Sequence, residues 1–160
     1  MLTNPLGTDL TKLATNATRH GRSTYRPENV RGHNVVMGWN RDMTRDAIDW
    51  FVPAGTPVRA AHPGKVIDIR DRDGRLGCVI IEGRAGGHVY RSAYAHLHVR
   101  ESVNVGDQVS AGTLIGWVGR RLARPHLHFE LWIDGQGVTA PTIKGLADKL
   151  AKLLGSANGQ

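Results

Sequence analysis

Cysteine is nearly absent. Cys78 is the only one in 160 residues, which excludes an internal disulfide and any Cys-rich zinc finger. It stands in the apolar run Cys78-Val79-Ile80-Ile81, the setting of an inert buried thiol rather than of a nucleophile. Aromatic residues are scarce at 6% against 20 glycines, a balance that suggests many tight turns between short strands. No apolar stretch approaches the roughly 18 residues needed to span a bilayer. Residues 1–23 lack the continuous hydrophobic run of a secretory signal, so the chain as given is expected to stay in the cytoplasm where it is made unless something else releases it. Acidic residues are in deficit, 14 against 21 Lys and Arg, for a formal charge of +7. A polyanionic partner follows from that excess: nucleic acid, anionic lipid or a phosphate-rich wall. No helix-turn-helix or aromatic RNA-binding motif is visible, so nucleic acid is not the expected partner.

The length fits one globular domain with a sizeable core. From Ala47 onward, short apolar runs alternate with turn residues every 8 to 12 positions or so, the spacing of an all-β chain. The strands expected are 57–61, 65–71, 78–82, 88–96, 108–110, 113–118 and 126–133. Turns are expected at Asp73-Gly74, Gly86-Gly87, Gly106-Asp107, Ala111-Gly112 and Asp134-Gly135-Gln136-Gly137. Such short links demand antiparallel pairing. Residues 1–32 are polar, with Pro5, Gly7, Gly21 and Pro27 as punctuation and a short helix over Leu10 to Ala17. They read as an arm or wrapping segment rather than as core. Residues 33–142 form the domain proper. In 143–160, Leu146, Leu150, Leu153 and Leu154 recur at helical spacing, giving an amphipathic helix from about Ile143 to Leu154.

The chain has eight histidines: His20, His33, His62, His88, His96, His98, His126 and His128. The spelling His-Leu-His occurs twice, at 96–98 and 126–128. On a strand, residues i and i+2 face the same side, so the imidazoles of His126 and His128 converge while Leu127 points to the other layer. Imidazole is both the commonest metal ligand and a base near neutral pH. A single His-x-His is more often a chance pair than a site. Here, however, it opens the core strand completed by Phe129-Glu130-Leu131-Trp132, where burying two titratable groups is costly unless they have partners.

Four ordered blocks then spell a family. They are the run Asp49-Trp50-Phe51-Val52-Pro53-Ala54-Gly55-Thr56-Pro57-Val58-Arg59-Ala60-Ala61 with Pro63-Gly64-Lys65-Val66, then Tyr94-Ala95-His96-Leu97, then Val105-Gly106-Asp107-Gln108-Val109-Ser110-Ala111-Gly112-Thr113-Leu114-Ile115-Gly116, and finally Pro125-His126-Leu127-His128-Phe129-Glu130. Together they resemble the lysostaphin and LytM type zinc metallopeptidases over roughly residues 45–133. The resemblance implies an antiparallel β-sheet groove, related to the barrel-sandwich folds, and cleavage of the peptide cross-links of bacterial peptidoglycan. Carried over by position, Asp49 and His128 match zinc ligands, and His96 and His126 match the two catalytic histidines. Zinc with an open position would polarise the scissile carbonyl and lower the pKa of its water to about 7. His126 would help deprotonate that water, and His96 would donate to the oxyanion.

One position departs from the pattern. The family's first zinc ligand is a histidine four residues before the aspartate, and this chain has Arg45 there, which has no lone pair to offer. Three readings stay open: His33, His98 or another residue completes the site; Asp46 shifts into it; or Arg45 pairs with Asp49 in place of the metal and the fold does not hydrolyse. The loop Gly119-Arg120-Arg121-Leu122-Ala123-Arg124-Pro125 also replaces the Gly- and Thr-rich loop expected before the histidine pair, setting three arginines beside the groove.

Two functions compete. The first is a peptidoglycan endopeptidase, set for a chain of this kind in a bacteriophage as a lysin or a tail-borne wall hydrolase. Such a chain would act from the host cytoplasm on the wall at lysis, or within the virion. The second is a zinc-deficient, non-catalytic relative that binds wall or builds a phage particle. A biotinyl- or lipoyl-like carrier is disfavoured, since no lysine sits at the tip of the 105–112 hairpin. The charge excess concentrates at the ends, +3 over residues 1–32 and +2 over 143–160, leaving +2 for the domain. The appendages are therefore the expected contacts for anionic wall polymers or phage structural proteins.

Overall fold

The computed structural model describes residues 5–6, 17–20, 47–72, 77–120 and 124–137, with 17–20, 47–49 and 136–137 described by backbone alone. Ten strands run in chain order: β1 Ala17–His20, β2 Ala47–Phe51, β3 Pro57–Arg59, β4 Gly64–Arg70, β5 Gly77–Ala85, β6 His88–His98, β7 Gln108–Val109, β8 Leu114–Val118, β9 His126–Ile133 and β10 Gln136–Gly137. The main path of the sheet is β1-β2-β9-β6-β5-β4-β7, with β10 on β9 and β8 joining β6 to β3. Every pairing is antiparallel, as the short links require. The all-β expectation therefore holds, and no helix occurs among the described residues.

The seven expected strands are all present within a few residues of their expected ends. Three were not anticipated. β10 occupies part of what reads as the turn after β9, and β1 and β2 extend the sheet beyond β9. The short helix expected over Leu10 to Ala17 ends in a residue that instead begins β1, and its remainder lies outside the described residues. So does the helix expected over Ile143 to Leu154. Within the 1–32 segment, Leu6 is buried in the main core and the Pro5 carbonyl accepts a hydrogen bond from the Arg59 amide. That piece is core, a role its polar surroundings did not suggest.

The core follows from the period-2 alternation of the long central strands. Leu127, Phe129, Leu131 and Ile133 of β9 point one way, into a cluster with Trp50, Val79, Ile81, Tyr90, Tyr94, Leu97, Ile115 and Val118. On the opposite face Trp132 packs with Cys78, Ile80, Ala93 and Ala95. Cys78 is buried, and burial pushes its thiol up to about 12, so it is a packing group, as its apolar run implies. At the β5–β6 hairpin, Gly86 and Gly87 take φ of +56° and +79°, the two left-handed positions that a tight two-residue turn imposes and glycine accepts.

Candidate active site

The second face of β9 carries the chemistry. His126, His128, Glu130 and Trp132 occupy alternate positions of the strand and so share a face. β2 runs beside them in a register that sets Asp49 opposite His128 and Phe51 opposite His126. On the other flank β6 sets Ala95 opposite His128 and Ala93 opposite Glu130.

His96 reaches this face through a bulge. Ala95 packs on the second face and Leu97 in the main core, although residues two apart on a regular strand share a side. The pairing explains the reversal: Cys78 lies opposite Ala95 and Gly77 opposite Leu97, leaving His96 as an extra residue with φ of +63°. An L-residue in this left-handed region costs of the order of 1–3 kcal/mol, and bulges re-aim side chains beside active sites. Gly77 permits the arrangement, because a Cβ there would run into the Leu97 carbonyl oxygen. As a result, the His96 ring centroid lies 4.6 Å from that of His126 and 5.6 Å from that of His128.

Hydrogen bonds fix how each ring is held. His126 Nδ1 lies 2.9 Å from the Arg124 carbonyl oxygen. A carbonyl only accepts, so Nδ1 carries the proton and the neutral ring's lone pair is on Nε2. The His126 ring also meets Phe51 at 5.2 Å, and Phe51 is covered by the Arg124 guanidinium at 3.8 Å. His128, wholly buried, donates from Nε2 to Glu130 Oε1 at 2.8 Å, and Trp132 Nε1 donates to Oε2 of the same carboxylate at 3.1 Å. The carboxylate thus holds His128 with its lone pair on Nδ1, the second-shell device that orients metal-binding histidines.

The expected site residues are therefore brought together on one face: His96, His126 and His128 by their rings, Asp49 by its register position. Glu130 was missed, although extending the period of two from His126 through His128 reaches it directly. Three further histidines have described side chains. His62 is buried, bonding the Pro63 carbonyl through Nδ1 at 3.0 Å and Ser92 Oγ through Nε2 at 2.7 Å. Burial lowers its pKa below the ordinary value. His88 pairs with Asp134 at 2.6 Å on the surface. That hydrogen bond, together with one from the Val89 amide, holds the Asp134 carboxyl below its usual range. His98 lines a recess with Arg100, Trp117 and Arg120, and no metal-ligating group of three that includes it occurs among the described residues. Arg45, Asp46, His33 and Arg121 lie outside the described residues.

For zinc, the described residues supply one oriented imidazole, His128, and the register position of one carboxylate, Asp49. No group of three metal-ligating side chains occurs among them, whereas catalytic zinc takes three protein ligands. The described donors on this face fit part of a zinc site.

Comparison with known proteins agrees with this architecture. Residues 44–140 match Peptidase family M23. The DD-carboxypeptidase/endopeptidase Mpg of Neisseria meningitidis is 34% identical over 119 residues, covering 73% of this chain and 26% of that protein. The glycyl-glycine endopeptidase ALE-1 of Staphylococcus capitis is 38% identical over 89 residues, covering 52% of this chain and 23% of that one. This chain thus spans about a quarter of these curated relatives. A zinc-containing peptidase from Vibrio cholerae superposes with a TM-score of 0.50 at 31% identity, covering 62% of this chain and 32% of its own. With the blocks of sequence, the antiparallel sheet and the family match all falling on the same residues, this chain belongs to peptidase family M23.

Proposed function

We propose that the chain is a peptidoglycan endopeptidase that cleaves peptide cross-links of the bacterial wall. The observation that carries the reading is the bulge at His96, which spends backbone strain to bring a third imidazole against His126 and His128. Strain of this kind concentrates where function demands a geometry that packing alone would not choose. The peptidase activities named for Mpg and ALE-1 point the same way.

In this reading the two rings nearest each other divide the proton work. His126, with its Nδ1 proton held by the Arg124 carbonyl, presents the Nε2 lone pair that accepts a proton from the attacking water. His96 donates to the oxygen of the tetrahedral intermediate, where charge develops. Glu130 and Trp132 keep His128 in one orientation, with Ala95 and Ala93 beside them on the neighbouring strand.

A second reading has its own support. Arg45 stands where the family pattern has a ligand histidine, which suits a wall-binding protein without hydrolysis. The two separate in one experiment: zinc stoichiometry of protein purified without added metal, beside lysis of purified walls with and without EDTA. Bound zinc with EDTA-sensitive lysis supports the peptidase. Absence of both in the wild type, with both gained by Arg45→His, establishes the non-catalytic reading instead.

A further inference from the structure

The charged groups of this protein are treated in two ways. On β4, β5 and β6 the arginines are answered: Arg70 by Asp68, and Arg84 and Arg91 by Glu82. Beyond His96, the described Arg100 and Arg120 are not. A recess of about 180 Å³ is lined by Gly55, His98, Arg100, Trp117, Val118 and Arg120. Among the described residues, no carboxylate lies within ion-pair distance of either guanidinium. The Arg100 guanidinium instead lies 5.7 Å from the centroid of the Trp117 ring.

Topology ties this recess to the histidine cluster. After the bulge, Leu97 returns to the main core, so the next residue, His98, falls on the same side of β6 as His96. Trp117 of β8 lies directly opposite His98, and the Gly119 amide bonds the His96 carbonyl at 2.8 Å. The recess thus begins two residues past His96, about 7 Å along the strand. Two like charges on one small recess repel each other, and an anion between them relieves that repulsion. A guanidinium offers a carboxylate two parallel N–H donors, and an imidazole has at least one N–H donor in either tautomer.

We propose that this recess is a carboxylate-binding subsite, which holds a free carboxylate of the peptide substrate about two residues from the bond being cleaved. The proposal rests on the peptidase reading and adds to it a substrate preference for stem peptides with free rather than amidated carboxylates. A phosphate polymer is the lesser fit, because its evenly spaced charges call for a track of cations and these residues ring a single recess.

The test needs no turnover. The 15N-labelled full chain is titrated with a synthetic stem tetrapeptide bearing free carboxylates, with the same peptide amidated, and with a glycerol-phosphate oligomer, following the Trp117 indole and the Arg100 and Arg120 Nε signals by NMR. The free-carboxylate peptide is expected to move those signals and to bind about tenfold more tightly than the amide. The double variant Arg100→Gln/Arg120→Gln, at two exposed positions, is expected to bind both peptides alike. Equal binding of the two peptides by the wild type, with shifts confined to His96 and His126, overturns the subsite and leaves the peptidase reading standing. Movement of the Trp117 signal by the oligomer alone, or by none of the three probes, also overturns the subsite. The peptidase reading falls separately, on failure of wall hydrolysis.

Discussion

Histidine serves two different ends within a few strands of this sheet. His62 is buried with both ring nitrogens engaged by the fold, one on the Pro63 carbonyl and one on Ser92 Oγ. The same network continues from Ser92 to Tyr94 Oη at 2.9 Å, and from Tyr94 to the Ala61 amide. His126 is half-buried, and its Nδ1 goes to the Arg124 carbonyl while its ring edge approaches the ring of a histidine held in a left-handed conformation. Burial is thus a poor guide to role, since wholly buried His128 belongs with His126 and not with His62. What separates the two sets is company: His62 is surrounded by hydroxyls and carbonyls that fix the fold, whereas His126 and His128 share a face with each other, with His96 and with the register position of Asp49.

That contrast breaks most visibly at His126. His126→Ala should lower wall hydrolysis by about 100-fold or more, the size of a lost general base. The thermal midpoint should hardly change, because the ring is half-buried at the strand end. Activity and a melting curve on the same sample check both halves.

Glu130→Ala should instead show itself first in stability. Removing a buried carboxylate strands the donors of His128 and Trp132, at a cost of about 2–3 kcal/mol read by urea unfolding. Glu130→Gln keeps one acceptor and should recover part of that loss.

His62→Gln should cost less, about 1 kcal/mol for a hydrogen bond partly retained, and should change the pH profile. The pKa of His62 is lowered in the fold, so the unfolded chain binds more protons around and below pH 6.5. The stabilisation is complete above the unfolded value of about 6.5 and is lost as pH falls through it toward the folded value. Melts of the wild type between pH 8 and 5 should show this decline, and the variant should show a flatter one.

The smallest effect is expected at Cys78. With its thiol pushed up to about 12 by burial, a disulfide reagent at pH 8 should leave the native protein unlabelled and react only after unfolding.

The fold was legible where the signal is local. Alternation in His126–Ile133, the Gly86-Gly87 turn and the short links led to the right strands and to antiparallel pairing. β2 escaped because five residues, Ala47 to Phe51, are too short to display a period of two, and β1 because its place depends on pairing with β2 across a long stretch of chain. The site was legible as a set of residues through the family blocks, and as geometry only in part. Nothing near Tyr94-Ala95-His96 announces a bulge, since it arises from the register of β6 against Gly77 and Cys78 on another strand. The recess beside His98 was invisible for the same reason: Arg100, Trp117 and Arg120 meet only when β6 and β8 pair. The three arginines expected beside the groove are accounted for at two positions, Arg120 in that recess and Arg124 over Phe51.

The most direct measurement is the release of new amino groups from purified peptidoglycan by the zinc-supplemented wild type and by His126→Ala. A peptidase centred on His96, His126 and His128 predicts amino-group release by the wild type that EDTA abolishes and that the variant loses by about 100-fold or more. Wild-type protein that releases none, or a variant that releases as much as the wild type, would contradict it.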